Sequence, residues 1–204
     1  MTLQEMITAV QKSLGVTVDG KAGPETWNAI YKKIVKPDVA GEKEALDISP
    51  VDSRSEKNIS SLDPKIQPLA RTLVHKAASV GITIKVISGL RTYEEQDALY
   101  AQGRTKPGNI VTNARAGYSN HNFGIAFDIG VFEGNKYLGE SPKYKAVGML
   151  GMDIGLEWGG SWKSIVDEPH FQLRPEWASN LTEKQMLAAL RDRVSSGLSV
   201  YAQA

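Results

Sequence analysis

The sequence predicts an α+β protein, an antiparallel sheet flanked by helices and preceded by a short helical module. Three observations predict it. Apolar residues recur at helical spacing in several stretches, of which Ile66, Leu69, Ala70, Leu73, Val74 and Ala77 form the longest single face. Ile82–Ile87 and His170–Leu173 alternate with the period of two that marks half-buried strands. Between Val131 and Leu138 the pair Gly134-Asn135 separates two short runs, the pattern of a tight antiparallel hairpin.

Composition narrows the chemistry before any motif is read. A chain of 204 residues is long enough for one domain with a real core plus something smaller. It contains no cysteine and three histidines, so there is no disulfide framework, and any metal must be held by His, Asp or Glu. A formal charge of +1 without a long basic run removes the usual electrostatic route to nucleic acid, which is not expected as a partner. The first residues lack the charged-then-apolar order of a secretory signal, so synthesis in the cytoplasm is expected. No run is long and apolar enough to span a bilayer, which argues against membrane insertion. A monomer is expected.

In chain order, Leu3, Met6, Ile7, Val10 and Leu14 predict a helix stopped by Gly15. A turn-rich link follows, and Pro24 opens a second helix with Trp27, Ile30, Tyr31 and Ile34 available for packing. The run VQKSLGVTVDGKAGPETWNAI resembles the bacterial peptidoglycan-binding module, whose hallmark is a Val-Asp-Gly-x-x-Gly-Pro-x-Thr turn between helices. The resemblance covers residues 1–35, less than the usual module; the alternative is a helical pair that only packs on its neighbour. Residues 36–60 carry Pro37, Pro50, many charges and several serines without a sustained apolar period, and read as a linker. Residues 61–204 then form the main domain.

In that domain the helix through Ile66 and Ala77 ends at Gly81, and His75 lies nearly opposite its apolar stripe, facing water. After the strand, Thr92 and Glu95 have capping-box spacing for a helix running to Gly103. Arg91 therefore stands at a strand's carboxyl end, where a guanidinium can hold a carboxylate or oxyanion with paired donors. Gln96 turns an amide toward Leu99 and Tyr100, which calls for a hydrogen-bonding reason, structural or a substrate. Ser141-Pro142 opens another helix whose Gly148 and Gly151 point to close backbone packing, with Gly155 as its stop. Trp158 and Trp162 flank a glycine-rich turn, one suited to the core edge and the other to a substrate groove. Thr182 and Gln185 open a last amphipathic helix.

The chemistry concentrates in two stretches. Ser119 to Asp128 offers an imidazole, His121, and a carboxylate, Asp128, on either side of Gly124. On a straight strand these side chains would lie roughly 23 Å apart and on opposite faces, so the chain must fold back, with Gly124 the suited hinge. Asp167-Glu168-Pro169-His170 offers a second imidazole and a carboxylate three residues before it, and Pro169 predicts an extended entry. His121, Asp128 and His170 would leave zinc a fourth position for water, with Asp167 as the base and Arg91 facing the developing charge. On spacing alone, each could instead cap or hydrogen-bond locally.

Taken together, Ser-x-His-x-x-Gly-x-Ala-x-Asp at 119–128, Ser-Gly-x-Arg at 88–91 ahead of Gln96, and Asp-x-x-His at 167–170 resemble the zinc D-alanyl-D-alanine carboxypeptidases and L-alanyl-D-glutamate peptidases. The resemblance spans about residues 62–178 and implies a small zinc peptidase domain of the Hedgehog/DD-peptidase type. It implies Zn2+ on His121, Asp128 and His170, Asp167 as acid/base, Arg91 as the transition-state arginine, and Ser119 near the substrate; Gln96 and Trp162 are expected as further substrate contacts from their own surroundings in the sequence. Aspartate at 167, where D-alanine-trimming members usually have glutamate, resembles the phage endolysin branch. The expected substrate is therefore a peptidoglycan stem peptide, cut between L-alanine and D-glutamate, with a D,D-carboxypeptidase or a non-catalytic zinc-containing wall-binding module as the alternatives.

Overall fold

The computed structural model describes residues 1–34 and 45–202, and the chain divides into two compact units, Met1–Ala45 and Leu46–Ala204. Among the described residues no helix is long and apolar enough to cross a membrane.

The first unit contains α1 (Leu3–Leu14) and α2 (Pro24–Ile34). Thr2 and Glu5 form a capping box at the start of α1, and Gly15 closes it in the left-handed conformation, φ 69°. The link between the helices is gathered around one amide. The buried Gln11 Nε2 lies 2.7 Å from Asp19 Oδ1, 2.9 Å from Thr26 Oγ1 and 3.0 Å from the Lys21 carbonyl, while Oε1 accepts the Gly20 N–H at 2.9 Å. The Asp, Gly and Thr of the turn motif thus share a single polar hub. Trp27, expected to pack, is instead 56% exposed. Two short helices enclose little interior, and the buried residues among those described in this unit are Gln11 and Thr26. The side chain of Ile34 lies outside the described residues.

In the second unit the expected linker of residues 36–60 requires correction. Residues 35–44 lie outside the described residues, but Ser53–Ile59 form a helix, α3, capped by Asp52 and burying Ser55 and Ile59. Its one large apolar residue gives no period to read, and its stability comes from docking. Ser55 Oγ accepts the Val86 N–H at 2.9 Å and Asn58 Nδ2 donates to the Val86 carbonyl at 2.8 Å, so α3 covers a strand edge that would otherwise be open.

That strand is β1 (Thr83–Ser88), preceded by α4 (Gln67–Ser79) with Pro68 in its first turn. His75 of α4 is not simply solvent-facing. The segment before α3 folds over it, and His75 Nε2 lies 3.0 Å from the Ser49 carbonyl oxygen. The remaining elements are α5 (Tyr93–Ala101), β2 (Ala126–Glu133), β3 (Lys136–Leu138), α6 (Lys143–Asp153), β4 (Glu157–Trp158), β5 (His170–Gln172) and α7 (Glu183–Ser195). Gly134-Asn135 makes the turn between β2 and β3, and Gly134 has φ 58°.

All strand pairs are antiparallel, in the order β1-β2-β5-β4, with β3 also pairing with β2. β2 is the central strand: its register sets Asp128 opposite Ser88 on one side and His170 on the other. One core collects Phe127, Ile129 and Val131 of β2 with Ile66, Leu73, Tyr144 and Phe171, and a smaller one collects Phe123 and Ile125 with Met186 and Leu190 of α7.

The glycines of α6 are explained by what lies across from them. A Cβ on Gly148 would stand 2.3 Å from the Trp158 ring, and one on Gly151 would stand 2.4 Å from the Phe171 ring. Gly148→Ala is therefore expected to destabilise the domain by about 1–3 kcal/mol through overpacking, outweighing the ~1 kcal/mol that alanine gains in helix propensity; urea unfolding measures the difference.

Candidate metal centre

The loop from 103 onward delivers the chain to Ser119, half-buried, which precedes a 3-10 turn over Asn120–Phe123. Gly124 closes that turn at φ 66°, and a Cβ there would meet the Asp63 backbone nitrogen at 3.1 Å. The chain thus reverses where the separation of His121 and Asp128 required. The turn also holds Arg91 by its main chain: Arg91 N–H donates to the His121 carbonyl at 3.0 Å, and Asn122 Nδ2 donates to the Arg91 carbonyl at 3.0 Å.

His121, Asp128 and His170 come together, with one donor atom from each within 4.8 Å of the others. Asp128 stands between the imidazoles. Its Oδ1 is 3.2 Å from His121 Nε2 and 3.2 Å from His170 Nδ1, and its Oδ2 accepts from Arg91 Nη2 at 2.6 Å. Burial opposes charge on Asp128, but the two histidines outweigh it and hold the carboxyl well below its ordinary range. Burial likewise disfavours a charged His170, yet its hydrogen bond to Asp128 shifts the ring upward overall.

The far nitrogen of each ring is also committed. His121 Nδ1 lies 2.8 Å from the Gly89 carbonyl, and His170 Nε2 lies 3.0 Å from Gln172 Oε1. A carbonyl accepts, so each of these nitrogens carries hydrogen, and the other nitrogen of each ring, 3.2 Å from Asp128 Oδ1, is the one turned to the site. Sequence reasoning missed both partners. Gln172 had a signal: two residues beyond His170 on an alternating strand, it shares that residue's side of the sheet. The Gly89 carbonyl had none.

Asp167 reaches the site by a route other than the expected extended entry. Its carbonyl accepts the His170 N–H at 3.2 Å, closing a turn with Glu168-Pro169 at the corners, while its own N–H donates to Gly159 at 3.1 Å. Pro169 excludes helix without requiring a straight chain. Gly159 permits the approach, since a Cβ there would lie 2.5 Å from the Asp167 carbonyl oxygen. Burial raises the Asp167 carboxyl above its ordinary range; His170 pulls against that and Asp128 adds to it. Such a group is suited to exchanging a proton.

The remaining expected contacts divide. Trp162 stands beside His170, ring centroids 5.1 Å apart, whereas Trp158 is buried in the core with Nε1 donating to the Glu168 carbonyl at 2.7 Å. Gln96 is corrected as a substrate contact: it is wholly buried, donating to the Ala114 carbonyl at 2.8 Å while its Oε1 faces Arg91 Nη1 at 3.4 Å. The hydrogen-bonding reason for its inward amide is structural. Ser88 Oγ supports the same guanidinium at 3.0 and 3.2 Å.

A family profile described as D-alanyl-D-alanine carboxypeptidase matches residues 112–173. The peptidoglycan L-alanyl-D-glutamate endopeptidase CwlK of Bacillus subtilis (strain 168) is 40% identical over 128 residues, 57% of this chain and 75% of the relative. The L-alanyl-D-glutamate peptidase of Listeria phage A118 is 30% identical over 123 residues, 59% of this chain and 41% of that protein. Among solved structures, the Serratia marcescens L-Ala D-Glu endopeptidase ChiX shares the fold, with TM-score 0.50 and 23% identity over 65% of this chain and 95% of that one. With 40% identity across 75% of a relative's length, the chain belongs to the peptidase family of the D-alanyl-D-alanine carboxypeptidases and L-alanyl-D-glutamate peptidases.

Proposed function

We propose that this chain is a zinc-dependent peptidoglycan peptidase of the endolysin type, cutting stem peptides between L-alanine and D-glutamate. The observation that carries the reading is the convergence of two imidazole nitrogens, one from each ring, and one carboxylate beside Asp167 and Arg91. The relatives named for L-alanyl-D-glutamate cleavage support the choice of bond, as does aspartate at 167.

The donor set suits zinc: two imidazoles with their second nitrogens occupied and one carboxylate, and among the described residues the group has no fourth His, Asp or Glu. Zinc held by these three residues would supply Lewis acidity, activating water and polarising a carbonyl. Asp167, half-buried beside His170, takes the proton from the attacking water and returns it to the departing amine. Arg91, held by Ser88 and Gln96, presents its guanidinium to the charge that develops on the carbonyl oxygen. Trp162 and Ser119 line the approach for the peptide.

Digestion of purified muropeptides is expected to expose new D-glutamate amino termini; release of free D-alanine would establish the D,D-carboxypeptidase reading instead. Asp167→Asn is expected to lower cleavage by about 10²–10⁴-fold with zinc content unchanged by metal analysis. The same substitution tests the shifted carboxyl. A folded-state value above the unfolded one stabilises the fold only while the group is protonated, and that contribution is lost as pH rises through the folded value. Above the folded-state value the charged Asp167 therefore costs stability, and there the metal-free Asn variant is expected to melt no lower than the parent.

The N-terminal unit is proposed to attach the enzyme to the wall. Deleting residues 1–35 is expected to weaken sedimentation with sacculi while sparing cleavage of small soluble muropeptides; equal loss on both substrates would overturn the attachment role.

A further inference from the structure

Behind the imidazoles, five side chains close a ring of hydrogen bonds. Gln172 Nε2 donates to Glu157 Oε2 at 2.6 Å, and Arg174 donates to Glu157 Oε1 and to Glu183 Oε2, each at 2.7 Å. Asn120 Nδ2 completes the circuit, 2.5 Å from Glu183 Oε1 and 2.6 Å from Gln172 Oε1. The ring joins β4, β5, the turn that carries His121, and α7. Gln172 Oε1 is also the atom that faces His170 Nε2, at 3.0 Å.

The two ends of an amide have nearly the same shape, so its partners decide which way it points. A carboxylate can only accept. Glu157 therefore takes the NH2 end of Gln172, and Oε1 must turn toward His170 and Asn120. An oxygen in that place requires a hydrogen on His170 Nε2, so Nδ1, which faces Asp128 Oδ1 at 3.2 Å, is the nitrogen left to serve the site. Asn120 follows the same logic: both of its neighbours are acceptors, so its NH2 faces them. Its Oδ1 is left buried with no hydrogen-bond partner, although buried polar atoms are ordinarily satisfied.

We infer that the ring is a positioning device governed by Glu157, which through Gln172 selects the Nε2–H form of His170 and so commits that residue to bind the metal through Nδ1. His121, whose Nδ1 is taken by the Gly89 carbonyl, binds through Nε2. The inference rests on the metal-centre reading proposed above. Glu157 and Gln172 are positioning residues that act through His170 and touch neither substrate nor ion.

The test uses the full-length chain with ¹⁵N-labelled histidine, loaded with ¹¹³Cd for metal–nitrogen couplings and with zinc for affinity by chelator competition. In the parent, coupling is expected to His170 Nδ1 together with a slowly exchanging Nε2–H. Gln172→Leu is expected to raise the zinc dissociation constant about 10- to 100-fold and to speed exchange of that hydrogen. Glu157→Gln, nearly the same shape but able to donate, is expected to move both readouts in the same direction. Unchanged affinity and exchange in both variants, even with a lowered melting temperature, would overturn the inference, as would metal on His170 Nε2 in the parent. If Gln172→Leu does not fold, Glu157→Gln and the parent spectrum decide. A parent that binds no zinc would end the metal-centre reading and this inference with it, whereas a parent that binds zinc beside unaffected variants ends this inference alone.

Discussion

A single buried carboxylate organises the second unit. Asp128 offers one oxygen to two histidines and the other to Arg91, and a charge so placed is tolerable only if all three partners arrive in register. Each comes from a different part of the chain. His121 needs the reversal at Gly124, His170 needs β5 paired on β2, and Arg91 needs β1 to end where it does. The fold can be understood as the arrangement that satisfies this carboxylate while burying Phe127, Ile129 and Val131 on the same strand.

Rigidity around that point comes from close approach as much as from hydrogen bonds. Gly148, Gly151 and Gly159 each stand where a Cβ would lie within 2.5 Å of an aromatic ring or a carbonyl oxygen. Through them α6 settles onto Trp158 and Phe171, and the Asp167 turn settles onto the start of the turn after β4. The adjacent strand residue Phe171 stacks on Phe127 with centroids 5.7 Å apart, so the pairing that brings His170 to Asp128 is fixed on its apolar side as well.

Much of this was legible in the sequence, and the exceptions share a cause. The capping boxes at Thr92 and Thr182, the Gly134-Asn135 hairpin and the reversal at Gly124 are local, and local chemistry can be read residue by residue. The His-Asp and Asp-His spacings pointed to residues that the structure gathers in one place. What escaped depends on partners distant in the chain. α3 is polar and short, and it exists because Val86 needs its edge covered. Gln96 looked exposed to substrate because its amide was unexplained, but the explanation lies in Ala114 and Arg91. The turn at Asp167 depends on a carbonyl of Gly159 and on Pro169, which forbids helix but does not say what replaces it.

The order in which the three donors occur along the chain carries a consequence for biosynthesis. By the time β2 has left the ribosome, His121 and Asp128 are present, yet the third donor is encoded 42 residues later. A growing polypeptide therefore carries an incomplete nest of ligands until β5 slots in beside β2. The cluster of His121, Asp128 and His170 cannot form before residue 170 has been made, and fragments that stop short of it lack the third side chain.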